Sequence, residues 1–268
     1  ERLDSMFESA AVANPDVSQW DTARVQTFAA TFKNAIVATP DVKDWDTSSG
    51  ADFSEMFEGA SLADPNVSQW DTQNATTLNS MFEGALNAQP DTASWDVSNV
   101  HNFNAMFKDA VLADPDVSRW DIASTTSTND MFSGAYLANP DMNSWNVENL
   151  LSMVDMFLGV TLTTSNYSEF LVYLESENEH PNVIFHAGTS RYNQLGDEAR
   201  TKLILEHGWT IIDGGMAESV CGDGFIDAAI GETCDDGNQT TESCPYNASC
   251  EVCDNSCTLV PGTGHSCG

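Results

Sequence analysis

No cysteine precedes Cys221, and the whole 268-residue chain carries only nine lysines and arginines. The first absence means that the larger part of the chain must be held by packing rather than by disulfides. The second, set against 41 carboxylates, leaves a net charge of −32. That charge excludes nucleic acid and anionic membranes as partners. It also makes the compact state repel itself unless salt or divalent ions screen it. No stretch approaches the length of consecutive apolar residues that a membrane-spanning helix needs. Equally missing are a nucleophile elbow, an H-E-x-x-H pair, a phosphate loop and a dinucleotide fingerprint. The expectation is a protein that is not an enzyme.

What is present is a repeat. Tryptophan recurs at one constant interval, at Trp20, Trp45, Trp70, Trp95, Trp120 and Trp145. Proline stands five before each one, from Pro15 to Pro140, and phenylalanine twelve after, from Phe32 to Phe157. A fixed period of this length is the mark of a stacked array. The consensus is P-D-V-S-x-W-D-T-x-x-x-x-x-F-x-x-M-F-x-G-A-x-x-A-x. In its second half Phe53, Met56, Phe57 and Ala60 stand at i, i+3, i+4 and i+7, which predicts about three turns of helix. Ser49 with Asp52 three residues on would cap its start, and Gly59, Gly84 and Gly134 sit near its end. The first half, around Val17 to Trp20, reads as a short parallel strand; two helical turns per repeat without a sheet is the alternative. The Trp and Phe columns are expected inside, where each large side chain contributes on the order of 1.5–3 kcal/mol when buried by its neighbours.

Two columns of aspartate run through the array. One follows proline (Asp16, Asp41, Asp91, Asp116, Asp141) and one follows tryptophan (Asp21, Asp46, Asp71, Asp96, Asp121). Asn66 and Asn146 interrupt them. Asparagine keeps the hydrogen-bonding oxygen and loses the charge, so turn bonding to backbone N–H groups is favoured over a ladder of metal ions. The variable positions before tryptophan, namely Gln19, Asp44, Gln69, Ser94, Arg119 and Ser144, form the candidate binding face.

The run F-x-x-M-F-x-G-A … P-D-V-S-x-W-D-T-S resembles the bacterial surface protein 26-residue repeat, a relative of the BspA-like leucine-rich repeats. It covers residues 1–160, runs at 25 rather than 26, and has Thr31 in place of one methionine. The resemblance implies a leucine-rich-repeat-like solenoid on an exported protein. The expected fold is therefore an α/β repeat solenoid with one short strand and one helix per repeat. Residues 161–217 are expected to close it as an α/β cap: a helix through Tyr167, Phe170, Leu171 and Leu174, a strand at Val183–Phe185, a helix from Gly196 to His207, and a strand at 209–212. His186 and His207 read as structural or surface residues.

All seven cysteines fall between Cys221 and Cys267, which marks residues 218–268 as a small disulfide-rich module from an oxidising compartment. Cys221, Cys234, Cys244, Cys250, Cys253 and Cys257 are expected in disulfides, with the pairing open. The Cys250–Cys253 spacing lacks the context of a zinc or redox site. The elements C-G-D-G and C-D-D-G-N resemble the Myxococcus-type cysteine-rich repeat, and Cys267-Gly268 looks like the start of a following copy. Asp223, Asp227, Glu232, Asp235 and Asp236 crowd the first two cysteines, and calcium is the one cofactor that hard oxygen ligands there suggest. A solvated acidic turn is the alternative. The chain opens inside a repeat and closes inside a motif, so it is expected to be a piece of a longer exported protein. Two functions remain open: an extracellular or cell-surface module that binds a protein or glycan, and a spacer or fibre subunit whose only partners are neighbouring subunits.

Overall fold

The computed structural model describes residues 1–217, 233–234, 251–253 and 258–261. Two compact units are present, Glu1–Gly215 and Met216–Gly268.

In the first unit each repeat hydrogen-bonds to the next. Single parallel bridges join Arg2 to Thr27, Thr27 to Asp52, Asp52 to Thr77, Thr77 to Asn102, and Ser127 to Ser152. Between Asn102 and Ser127 the Asn104 side chain substitutes, its Oδ1 accepting from the Asn129 N–H at 3.0 Å. The bonds continue through the segment where a helix is expected. The N–H groups of Phe28, Ala30, Phe32 and Asn34 donate to the carbonyls of Asp52, Ser54, Met56 and Glu58, at 2.6–2.9 Å. The residues between them close tight turns instead: Thr31 donates to Phe28, Lys33 to Ala30 and Ala35 to Phe32.

This corrects the predicted helix. The α-helices among the described residues lie at Thr164–Glu177 and Gln194–Leu205, both outside the repeats. The repeat segment is a ribbon of successive turns with a left-handed residue every fourth position, as at Ala30 and Asn34, Glu55 and Gly59, and Ala105 and Asp109. A ribbon with a period of four places i and i+4 on one side just as an α-helix does, so Phe53 with Phe57 and Met56 with Ala60 satisfy both. The ribbon wins because alternate N–H groups reach a neighbouring repeat, which a helix closed on itself cannot do. A left-handed non-glycine residue costs roughly 1–2 kcal/mol. The predicted strand is displaced too: the bridges fall at the Thr27 column, seven residues after tryptophan.

The aromatic columns are internal. Phe32, Phe57, Phe82, Phe107, Phe132 and Phe157 are fully buried and stack face to face with centroids 5.3–5.7 Å apart. From Trp45 to Trp145 each repeat tryptophan satisfies its ring N–H on the repeat before it: Trp45 Nε1 donates to the Val17 carbonyl at 3.0 Å, Trp70 to Val42 at 3.0 Å and Trp95 to Val67 at 3.1 Å. Thr22, Thr47 and Thr72 bond the other way, their hydroxyls donating to the carbonyls of Asp46, Asp71 and Asp96. Thr31, the residue that replaces methionine, is tolerated in the core because its hydroxyl donates to the Phe28 carbonyl at 2.6 Å.

Helix α1 (Thr164–Glu177) follows the last repeat, capped by Thr163, whose side chain accepts from the Asn166 N–H. Strand β1 (Ile184–His186) meets that repeat through a parallel bridge from Met153 to Phe185. Helix α2 (Gln194–Leu205), capped by Asn193, leads to β2 (Thr210–Ile212), which pairs parallel with β1 with Phe185 opposite Ile211. The predicted cap elements thus fall within a few residues of observed ones. One hydrophobic cluster runs from Val17 to Ile211. Beneath α1 and α2, the Tyr167 hydroxyl donates to Asp213 at 2.7 Å and Arg200 Nε donates to the same carboxylate at 2.7 Å. Burial pushes the Tyr167 phenol far above its ordinary range, with the Asp213 charge adding to it.

In the second unit β3 (Glu251–Cys253) pairs antiparallel with β4 (Leu259–Pro261). The Leu259 N–H donates to Thr233 Oγ1 at 2.8 Å, and Cys234 is disulfide-bonded.

Replacing Phe107 with alanine leaves a hole between Phe82 and Phe132, centred 5.7 and 5.4 Å away. A loss of about 3–5 kcal/mol is expected in chemical denaturation of the full chain. A loss under about 1 kcal/mol would show that the column does not carry the core.

Candidate recognition surface

Each repeat turns three tight corners closed by the same bond, from the N–H of one residue to the carbonyl three before it. In the first repeat they are Ala13 to Ala10 at 2.9 Å, Trp20 to Val17 at 3.2 Å, and Val25 to Thr22 at 2.8 Å. The third repeat has them at Ala63 to Ala60, Trp70 to Val67, and Ala75 to Thr72. The end residues of these corners face the core. The two central residues face outward, so whatever they carry is presented to solvent.

The second corner holds the predicted binding face. Gln19, Asp44, Gln69, Ser94, Arg119 and Ser144 are all exposed, each one residue before a tryptophan. The structure brings them into one column, because each sits on a turn whose base is pinned by a tryptophan. Ser94 Oγ donates to the Ser68 carbonyl at 3.0 Å, and Ser144 Oγ to that of Ser118, so the column is also stitched from repeat to repeat. The surface is dented in two places. A recess of about 350 Å³ lies around Ser94, Asp96, Arg119 and Asp121. A larger one, about 660 Å³, lies where Ser144, Glu148 and Asn149 meet Tyr173, Glu177 and His180 of the α1 end.

The two aspartate columns guard the second and third corners. The Asp16 carboxylate accepts from the Ser18 hydroxyl at 2.7 Å and its N–H at 3.1 Å, and Asn66 does the same with Ser68. In the other column Asp46 accepts from the Ser48 hydroxyl and N–H at 2.6 and 3.0 Å, and Asp96 from those of Ser98 at 2.7 and 3.1 Å. These are Asx turns. The serine hydroxyl first and the serine N–H second hold Asp16, Asp46, Asp96 and Asp116 below the usual carboxylate range. Such bonding needs an oxygen and no charge, which accounts for Asn66 and Asn146. Among the described residues no three His, Cys, Asp or Glu side chains are grouped to hold a metal ion.

The first corner is where sequence reasoning saw nothing: its central positions are x-x in the consensus. The signal was there, in apolar residues lying between two alanine columns that both turn inward. Of the histidines, His186 Nδ1 lies 2.7 Å from Asp155 Oδ1 on the edge of β1, and His207 is half-buried just past α2. The acidic residues of the tail that the sequence suggests for calcium, Asp223, Asp227, Glu232, Asp235 and Asp236, lie outside the described residues, as do Cys221, Cys244, Cys250, Cys257 and Cys267. Cys253 is described only as part of β3. No helix among the described residues is long and apolar enough to cross a membrane.

The family described as "Mycoplasma protein of unknown function, DUF285" matches residues 1–91 and 61–170. The chain belongs to that family. The two matches overlap inside the repeats and end within α1, so the family model spans the repeat array and stops short of the cysteine-rich tail. No curated protein and no solved structure matches the chain.

A depressed aspartate stabilises the fold above its unfolded pKa, about 4, and loses that contribution as pH falls through its lower folded value. The variant Asp46→Asn/Asp96→Asn/Asp116→Asn keeps each acceptor and removes the titration. Its melting temperature near neutral pH should stay within a few degrees of the parent, and its decline between about pH 4 and pH 2 should be shallower. Parallel acid melting curves would refute the Asx-turn account.

Proposed function

We propose that residues 1–217 form a leucine-rich-repeat-like solenoid with a C-terminal cap, and that this is a recognition module of a larger, exported, cell-surface or secreted protein of the BspA-like kind. Its ligand is a protein or glycan on a cell or matrix surface. The observation that carries this reading is the contrast within the second corner. Its base barely changes from repeat to repeat, with an apolar residue or Thr at one end and a tryptophan at the other. Its exposed tip changes freely through Gln, Asp, Gln, Ser, Arg and Ser. A backbone that holds still while one outward column varies is the arrangement of a binding surface. The tail fits the same setting as a Myxococcus-type cysteine-rich module, with disulfides and calcium suited to an oxidising, ion-rich exterior.

The test is binding of the full chain to a glycan array and to intact cells, alongside Gln69→Ala/Ser94→Ala/Arg119→Ala. Truncating three central side chains should weaken attachment about tenfold or more while melting falls by no more than the few degrees that loss of the exposed Ser94–Ser68 bond entails. Undiminished attachment, or no attachment by the parent, favours the spacer or fibre subunit.

The tail yields a separate expectation. Calcium chloride should raise the melting temperature above sodium chloride at matched ionic strength, because binding to the folded state alone adds about 2.7 kcal/mol at a hundred times Kd. Screening treats the two salts alike. Asp235→Asn/Asp236→Asn should abolish the difference; a difference that survives would move the site out of these two residues.

A further inference from the structure

The first corner of each repeat is closed by the same bond as the other two, yet it carries the opposite kind of side chain. The second and third corners present Ser18 and Gln19, Gln73 and Asn74, Ser98 and Asn99, the polar residues that turns ordinarily use. The first presents Val12, Ile36, Leu62, Leu86, Leu112 and Leu137. All six are exposed, from 37 % for Leu112 to 91 % for Val12, and Tyr136 beside Leu137 is 62 % exposed. The turn does not require them, since its geometry is met equally well by serine and asparagine. The core does not use them, since Ala10 to Ala135 and Ala13 to Ala138 on either side close it. They follow one edge of the array, one per repeat, Ile36 and Leu86 at the first central position of the corner and the other four at the second, as an apolar ridge in a chain otherwise rich in surface carboxylates. A contiguous exposed apolar strip of this kind marks an interaction surface.

The ridge's surroundings select the occupant. Just beyond it the array carries Asp64 and Asp114, and beyond those the exposed Asp16, Asp41, Asp91, Asp116 and Asp141. On its other side stand Glu8 and Glu83. The two lysines there are already held: Lys33 by Glu55 and Glu58 at 2.6 and 2.9 Å, and Lys108 by Asp130 at 3.0 Å. A second copy would oppose acid to acid across the contact. A cationic segment with an apolar face meets both features at once. The step of the array favours a helix as its form. Segments joined by parallel bridges, as the repeats are, lie about 4.8 Å apart. An α-helix rises about 5.4 Å per turn, whereas same-face residues of a strand are about 6.7 Å apart. A helix laid along the ridge drifts by about 0.6 Å per repeat and a strand by about 1.9 Å, so the helix keeps its apolar side chains near the corners over several repeats and the strand does not.

We infer that the apolar corner ridge from Val12 to Leu137 is a docking surface for a basic amphipathic α-helix of a partner protein. It is a different face from the polar column of the second corner and does not depend on it.

The probe is a peptide of leucine and lysine, about 18 residues and about 27 Å long as a helix, with leucine at i, i+3, i+4 and i+7. A shuffled peptide of the same composition measures attraction by charge alone. Both are titrated against the full chain at physiological salt. The patterned peptide should bind about tenfold or more tightly than the shuffled one. Leu62→Asn/Leu86→Asn/Leu112→Asn should erase that preference and leave binding of the shuffled peptide unchanged. Asparagine already stands at this corner as Asn87. The end variant Val12→Asn/Leu137→Asn, at the most exposed positions, should reduce the preference by about threefold and tests the ridge independently should the triple variant not fold. The Gln69→Ala/Ser94→Ala/Arg119→Ala variant should keep the full preference, which separates this surface from the recognition column. Equal binding of the two peptides by the parent, or a preference that the ridge variants leave intact, overturns the proposal. So does a concentration-dependent dimer in sedimentation that the ridge variants dissolve, which would give the ridge to a second copy.

Discussion

Everything in the first unit depends on one hydrogen-bond relation: an N–H in one repeat reaches a carbonyl in the next, as Phe28 reaches Asp52 and Phe57 reaches Met81. Because the relation recurs at alternate residues along a segment, each repeat must keep the same length and the same backbone path as its neighbour. The aromatic columns follow from it. Rings held at a common height in each repeat stack on their equivalents, Phe32 on Phe57 and Trp70 on Trp95, and the phenylalanine columns also pack against the tryptophans, as Phe28 does on Trp45. The left-handed residues follow as well. A ribbon that spends alternate N–H groups on its neighbour must turn sharply in between, and the sharp turns put Ala30, Glu55 and Ala105 in a conformation that none of them prefers alone.

Much of this was legible beforehand, and the reason lies in particular residues. Trp20 to Trp145 and Phe32 to Phe157 announce a period and an interior, because large apolar side chains at a fixed spacing have nowhere else to go. The swap of Asp for Asn at Asn66 and Asn146 separates turn bonding from metal binding by chemistry alone. In the cap, Tyr167, Phe170, Leu171 and Leu174 mark a helix. The backbone of the repeat was not legible. Phe53, Met56, Phe57 and Ala60 fit a helix and a ribbon of period four equally well, since both return to one side after four residues. The sign that distinguishes them, a left-handed residue every fourth position, is written at one of its two columns as Ser5, Ala30, Glu55, Ser80, Ala105, Asp130 and Asp155. None of these is glycine, so composition does not betray it. The inter-repeat bonds that enforce it are long-range and have no local signature.

The charge has a structural side as well as a chemical one. All nine basic residues precede Met216, and several are committed to fixed carboxylates: Lys33, Lys108 and Arg200 each hold a partner within 3.0 Å. The remaining acids are spread over the corners, where water and counterions reach them. The Asp213 carboxylate, only 3 % exposed, lies in the cap, where Tyr167 and Arg200 both donate to it and α2 is fastened to the residue that follows β2.

The directional bonding between repeats has a genetic consequence. Each repeat tryptophan from Trp45 to Trp145 donates to the repeat before it, and Thr22, Thr47 and Thr72 donate to the repeat after. Interior units therefore share the tryptophan bond, while the threonine bond is confined to the earlier ones and gives way to Val97, Ile122 and Val147 in the later. Duplicating or deleting a whole unit of coding sequence keeps the tryptophan and phenylalanine columns in register, whereas adding or losing one codon throws every later unit out of step. Array length is a quantity that unequal recombination can adjust in a single event, and the cap that closes the last unit need not change with it. Selection on such a gene can set how many units separate its two ends without touching the chemistry of any one face.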